Sequence, residues 1–339
     1  MIDESVITSG EIYFLCEIDV LSGEKSPYVK IGLVELLRES SNRKKEHQTG
    51  NPRDLFLVRH FKTDCVRAVE KYLHWHYIEY GVRGEWFKFD DETLSGAIKY
   101  AEELRDKFAD QITSLSHGIR YQSVVSDGRV KPATDEAQRW LHEYNVAHLI
   151  KTESEKATQK FREAVKEAYA SGVDVTDAGE VTGIQRRILD EKALKINEPD
   201  LYGKYLFEKI IARFKVTPAG AAAEYDPRVA KAAVRSSDLV QAVEAMKSKK
   251  LDFNAVSQIA FGVDSASKFY AKEKELAQLH LQAQCESAEK IDEICTWKRE
   301  TESKFSPTRF KKEQPEAYDR YSVIKSGTKL ELDKTAQAD

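Results

Sequence analysis

The stretch between Ile12 and Phe89 constrains this chain most. Glu11-Ile-Tyr-Phe-Leu-Cys-Glu-Ile18 is almost wholly aromatic and aliphatic, the turn-forming run Ser22-Gly-Glu-Lys-Ser-Pro27 follows, and Tyr28 to Leu33 is a second apolar run with Lys30-Ile31-Gly32 at its end. Branched and aromatic residues bounded by Gly, Ser and Pro predict two strands joined as a hairpin. Residues 35–46 predict a helix, weakened by Ser40-Ser41-Asn42 and stopped by Thr49-Gly-Asn-Pro52. A third strand is predicted over 55–61. Asp64 is placed to cap a helix on which Val66, Val69, Leu73 and Tyr77 share a face. Glu85-Trp-Phe-Lys-Phe89 alternates like a short strand, and Asp90-Asp91 open a helix running to about Phe108. The order β-β-α-β-α-β-α makes a compact mixed α/β unit, so the fold class is α+β.

The chain is 339 residues long, enough for about two domains, and its 41% hydrophobic and 10% aromatic content can fill real cores. Beyond Ser114 the texture changes. Residues 1–114 form the first unit, 115–133 a polar connector, 134–327 a mostly helical domain for DNA positioning, partner binding or oligomerisation, and 328–339 a fraying polar tail. Helices are predicted over 134–170, 184–195, 202–214, 227–248 and 254–295. No fixed-period repeat is evident. Residues 255–270 have the flavour of a helix-turn-helix around Gly262, but Ala260 lies too close to that glycine for the usual spacing.

The net charge of -4 places no global basic field on the protein, so nucleic-acid contact must be local. Cys16, Cys65, Cys285 and Cys295 form no CxxC pair, which argues against a zinc ribbon or disulfide framework and for reduced thiols. No basic-then-apolar leader and no run of eighteen apolar residues is present, which predicts a soluble, cytoplasmic protein without a membrane partner.

Hydrolysing a phosphodiester calls for a base, a cation at the phosphate and, usually, a metal on the leaving oxygen. The first 90 residues offer each. Tyr13 supplies a phenol, Lys30 an amine, and Arg43 a guanidinium suited to bidentate phosphate contact. His47 lies one turn beyond Arg43 on the same face, and Glu70 and His74 repeat that spacing on the next helix, able to converge on one metal or water. Lys44, Lys45 and Arg53 lie in a segment, Leu36 to Lys71, where Lys and Arg exceed Asp and Glu, a surface suited to following a phosphate backbone. In the C-terminal part, Lys304, Arg309, Lys311 and Lys312 interleave with Phe305 and Phe310, so that phenylalanines stack on bases while the cations meet phosphates, or else a helix end docks on the helical domain.

Ile12-Tyr13, Lys30-Ile31-Gly32, Arg43 with His47, Gln48-Thr-Gly-Asn-Pro52, Glu70 with His74, and Gly84-Glu-Trp-Phe87 together resemble the GIY-YIG endonuclease superfamily, in the phage-type branch whose second motif reads Lys-Ile-Gly. The resemblance covers about residues 10–100. It implies that Tyr13 matches the first motif tyrosine, that Lys30 stands where most members have a second, that Arg43 stabilises the transition-state phosphate, and that Glu70 holds one divalent metal, Mg2+ or Mn2+, one ion per active site. It places His47 near the nucleophile. Lys30 can replace a phenol only with a depressed pKa, so Tyr13 is the other candidate base, with Lys30 lowering its pKa; the family's asparagine falls near Glu85. The implied activity is DNA hydrolysis, double-stranded DNA favoured and RNA left open, in a phage, mobile-element, restriction or defence setting. A homodimer through the helical domain would bring two nicking sites together. A second reading is a DNA-binding or assembly protein that keeps the fold without its chemistry, with Lys30 as the sign of decay, and a third is a regulator built on the helical part.

Overall fold

The computed structural model describes residues 7–35, 39–49, 51–248 and 252–331. Residues 36–38 of the first predicted helix, Gly50 of the motif before Pro52, and residues 332–339 of the predicted tail lie outside the described residues.

The chain opens with β1 (Gly10–Ile18), β2 (Lys25–Glu35), α1 (Ser40–Gln48), β3 (Asp54–Thr63), α2 (Val66–His76), β4 (Gly81–Arg83), β5 (Trp86–Lys88) and α3 (Asp91–Tyr121). The five strands form one antiparallel sheet in the order β3-β1-β2-β5-β4. Alternation splits β1 and β2 cleanly. Ile12, Phe14, Cys16, Val29 and Ile31 face the core with α2 and α3, whereas Tyr13, Leu15 and Val34 pack with Leu57 in a small cluster on the other face. The predicted α/β order is present with one added strand, β4, which pairs with β5.

The helix after Asp90 does not stop near Phe108. Asp90 caps it by accepting from the Thr93 N–H, and it continues to Tyr121 because Leu115 is buried in the same core as Leu276 and Leu279 of a distant helix. At the crossing, Gly118 lies so close to the Leu279 backbone that a Cβ would collide with its carbonyl.

The remainder comprises β6 (Val130–Lys131), α4 (Asp135–Ala170), β7 (Glu180–Leu189), α5 (Glu191–Asn197), α6 (Pro199–Gly203), β8 (Leu206–Val216), α7 (Ala221–Glu224), α8 (Pro227–Lys247), α9 (Phe253–Cys285), β9 (Lys290–Ile291), β10 (Cys295–Phe305), α10 (Pro307–Glu313), α11 (Pro315–Arg320) and β11 (Ser322–Glu331). The helices expected over 134–170 and 227–248 are present, and α4, α8 and α9 share a core around Phe161, Leu239 and Val256. Gly262 sits inside the continuous α9, so no helix-turn-helix forms. No helix among the described residues is long and apolar enough to cross a membrane. All four cysteines are free and buried.

The helix expected over 254–295 stops at Cys285. Residues 184–189 and most of 202–214 are strands where helices were expected, and 298–305 and 322–331 are strands too, the latter where fraying was expected from 328. They pair as two antiparallel ribbons, β8 with β10 and β7 with β11. Between the ribbon ends sits a knob of α5, α6, α10 and α11 around Leu194, Tyr205, Phe305 and Phe310. This knob is an internal repeat. Residues 190–205 and 306–321 align with Leu194 on Phe310, Pro199 on Pro315, Tyr202 on Tyr318 and Tyr205 on Tyr321. Their cross-links are reciprocal: the Asp190 N–H donates to the Tyr321 carbonyl at 2.7 Å, and the Ser306 N–H to the Tyr205 carbonyl at 3.0 Å. The two copies thus form a pseudo-two-fold pair, hidden from a period search because they are separated by unlike sequence.

Candidate active site

The site lies on the sheet face opposite the main core. Tyr13 is 1% exposed, paired in register with Gly32 of β2. A Cβ on Gly32 would stand 2.5 Å from the Tyr13 hydroxyl oxygen and 2.6 Å from its ring carbon, so the glycine of Lys30-Ile31-Gly32 is the space the Tyr13 ring occupies. α1 lies over this face. Its capping residue Glu39 makes no side-chain cap bond. Instead the buried Glu11 carboxylate on β1 accepts from the Ser40 N–H at 3.1 Å, supplying an acceptor at the helix start. At the other end, the Gln48 side chain donates to the Arg53 carbonyl at 2.8 Å and accepts from the Leu55 N–H at 2.8 Å, while Asn51 donates to Glu17 at 3.0 Å. The Gln48 to Pro52 motif therefore ties α1 to β1 and β3.

So held, α1 brings Arg43 and His47 to Tyr13. The Tyr13 hydroxyl is 3.4 Å from His47 Nε2, and the Arg43 guanidinium is hydrogen-bonded to the same phenol while also holding Glu46 at 2.6 Å. Burial pushes the Tyr13 pKa up to about 12 against the opposing pull of Arg43. The main cation acting on the phenol is Arg43, and Lys30 is buried in an ion pair with Glu85. Burial, then the positive charges of Lys30 and Arg43, lower the His47 pKa, so the imidazole is neutral at pH 7.

Glu70, on α2, is half-buried and feels both Glu85 and Lys30. Burial first, and then the Glu85 carboxylate, raise its pKa to about 7. Burial alone would also raise Glu85, but the Lys30 ammonium outweighs it and the net direction is down. Two neighbouring carboxylates are thus driven apart, one sharing a lysine and one left desolvated. Glu85 is the site residue sequence reasoning passed over as a mere position near the family's asparagine. Its only signal was a carboxylate flanking a strand that pairs Trp86 with Lys30.

His74 sits one turn beyond Glu70 on α2. Its Nε2 lies 3.0 Å from the Ile31 carbonyl and its ring packs on Phe87, 5.2 Å between centroids. Among the described residues no group of three or more His, Cys, Asp or Glu side chains converges as a metal cage. Glu70 still fits one hard cation, because such an ion needs one or two carboxylates and completes its sphere with water and phosphate oxygens.

Lys45 and Arg53 are exposed and Lys44 half-buried on α1 and the loop after it. The C-terminal stacking surface is corrected: Phe305 and Phe310 are buried in the knob and cannot receive bases. Lys304 pairs with Glu302 at 3.3 Å, Arg309 with Glu313 at 2.9 Å, Lys311 lies over the Tyr318 ring, and Lys312 is exposed on α10.

No curated protein and no solved structure matches the chain. A family comparison does: residues 10–103 match the T5orf172 domain, a domain found in phage-type, GIY-YIG-like nucleases.

Proposed function

We propose that this protein is a metal-dependent endonuclease of GIY-YIG type that hydrolyses DNA phosphodiester bonds, in a phage, restriction or defence setting. The observation that carries the reading is the convergence of Arg43 and His47 on the Tyr13 phenol, with Glu70 and the Lys30–Glu85 pair within electrostatic reach. Arg43 is the group for the phosphate, since a guanidinium stabilises the charge that grows on its oxygens. Tyr13 keeps its proton at neutral pH and so acts as a relay. It passes its proton to the neutral His47 Nε2 as it takes one from the attacking water, whose oxygen bonds to phosphorus while the P–O3′ bond breaks. Lys30 holds Glu85 and keeps His47 neutral. Glu70 would hold Mg2+ or Mn2+, which supplies charge neutralisation at the phosphate and leaving oxygen.

The test is cleavage of supercoiled plasmid with magnesium or manganese by wild type, Arg43→Ala and Glu70→Ala. Nicked or linear product that falls at least about 100-fold in both variants, with DNA affinity retained, supports the reading. Wild-type protein that binds plasmid, linear and single-stranded DNA but cuts none of them overturns it in favour of a binding module.

A further inference from the structure

A cavity of about 580 Å³ lies between α2 and α9, outside the catalytic cluster. Its size suits a small-molecule ligand. Its walls are aromatic, with Trp75, Phe261 and Phe269, and three lysines reach it, Lys71, Lys268 and Lys272. Among the described residues no carboxylate lines it. Trp75 and Phe269 stack at 5.1 Å and fix one wall. Lys272 leans on Glu275 at 2.5 Å and Lys268 on Asp264 at 2.7 Å, whereas Lys71 makes no hydrogen bond or ion pair with a described residue. The cavity also adjoins the catalytic cluster, since Lys71 follows Glu70 and the lining Gly84 precedes Glu85.

Apolar rings inside and lysines at the rim, with Lys71 outside any ion pair among the described residues, select a flat aromatic group carrying an anion. Aromatic faces with lysines beside them recur where single nucleotides are gripped without sequence reading. We infer that this cavity binds one unstacked nucleotide, its base between the aromatic walls and its phosphate at Lys71 and Lys272. The inference rests on the nuclease reading for the strand as a source of that nucleotide; a free nucleotide has the same chemistry.

The experiment uses the full chain without divalent metal, so that nothing is cut. Deoxyadenosine 5′-monophosphate is titrated by calorimetry, and oligonucleotides with 2-aminopurine at successive positions are followed by fluorescence. Ser265→Trp fills the cavity, Lys272→Glu reverses its rim, and thermal melts identify a variant that fails to fold. Expected are saturable mononucleotide binding, weakened at least tenfold in both variants, and a 2-aminopurine signal at one strand position that Ser265→Trp abolishes. A mononucleotide response without a strand response supports the cavity and assigns it a free nucleotide. Absence of both, while wild type still cuts plasmid in magnesium, overturns the inference and leaves the nuclease standing. Mononucleotide binding without any plasmid cleavage does the reverse.

Discussion

Glu70 and Glu85 show how burial and a single lysine give neighbouring carboxylates different roles. With a folded pKa of about 7 against an ordinary value of 4.5, Glu70 is protonated below neutrality and anionic above it. A proton and a metal compete for that oxygen. Cleavage at limiting magnesium should therefore rise about tenfold per pH unit below pH 7 and level off above. More magnesium should move the rising limb to lower pH, and a limb that stays put would argue against Glu70 as the metal ligand. The same group has a stability signature. A raised carboxyl pKa favours the folded state below pH 4.5, and this contribution is lost as pH climbs through about 7. Glu70→Gln should be near neutral in thermal melts at pH 4 and raise stability at pH 8, by about 1–3 kcal/mol. Gly32 offers the steric counterpart. Gly32→Ala should displace the Tyr13 ring and lower cleavage by at least about 100-fold, as loss of a positioned catalytic group does, while DNA binding persists in a gel-shift assay.

At the scale of the element, α1 is a helix that its own sequence hardly supports. Serines and an asparagine fill its first turn, its capping residue makes no side-chain bond, and Glu11 and Gln48 hold it from neighbouring strands. Removing the cap with Glu11→Ala should cost about 1 kcal/mol and speed amide exchange over residues 40–48. The cleavage rate should fall by more than the loss in stability accounts for, because Arg43 and His47 ride on this helix. Strands β1 to β3 and helix α2 were legible because apolar alternation and helical spacing each match one buried face. The ribbons were not. In β7 and in Leu206-Phe-Glu-Lys-Ile-Ile-Ala-Arg-Phe-Lys-Val216 most side chains are exposed or only half-buried, so no alternation of burial marks them, and Lys, Arg and Glu give a helical texture. The same limit applied at the site. Tyr13, Lys30, Arg43, His47 and Glu70 could be named from their order, but the partnership of Lys30 with Glu85 and the turning of His74 toward Ile31 exist only across strands.

In the whole molecule, the nuclease-like unit and the helical remainder share a core. α3 carries Leu115 into contact with the Leu276 and Leu279 region of α9, and Tyr72 of α2 hydrogen-bonds Glu273. A bulky side chain at the Gly118 crossing should be felt by both parts together. Gly118→Val should lower stability by about 1–3 kcal/mol, in a calorimetric scan with one transition; two separated transitions would show that the parts unfold independently. The knob carries a consequence of another kind. Each of its halves answers the other's backbone N–H, yet the second half is synthesised long after the first. At about 5–20 residues per second, the roughly 100 residues between them keep the nascent first copy waiting on the order of 5–20 s. Throughout that interval β7 and β8 have no partner strand, and their edges would recruit another chain if they were purely apolar. Arg186, Arg187, Lys209 and Arg213 interrupt the isoleucines and phenylalanines there, and charge of this kind on an open edge deters pairing between neighbouring nascent chains.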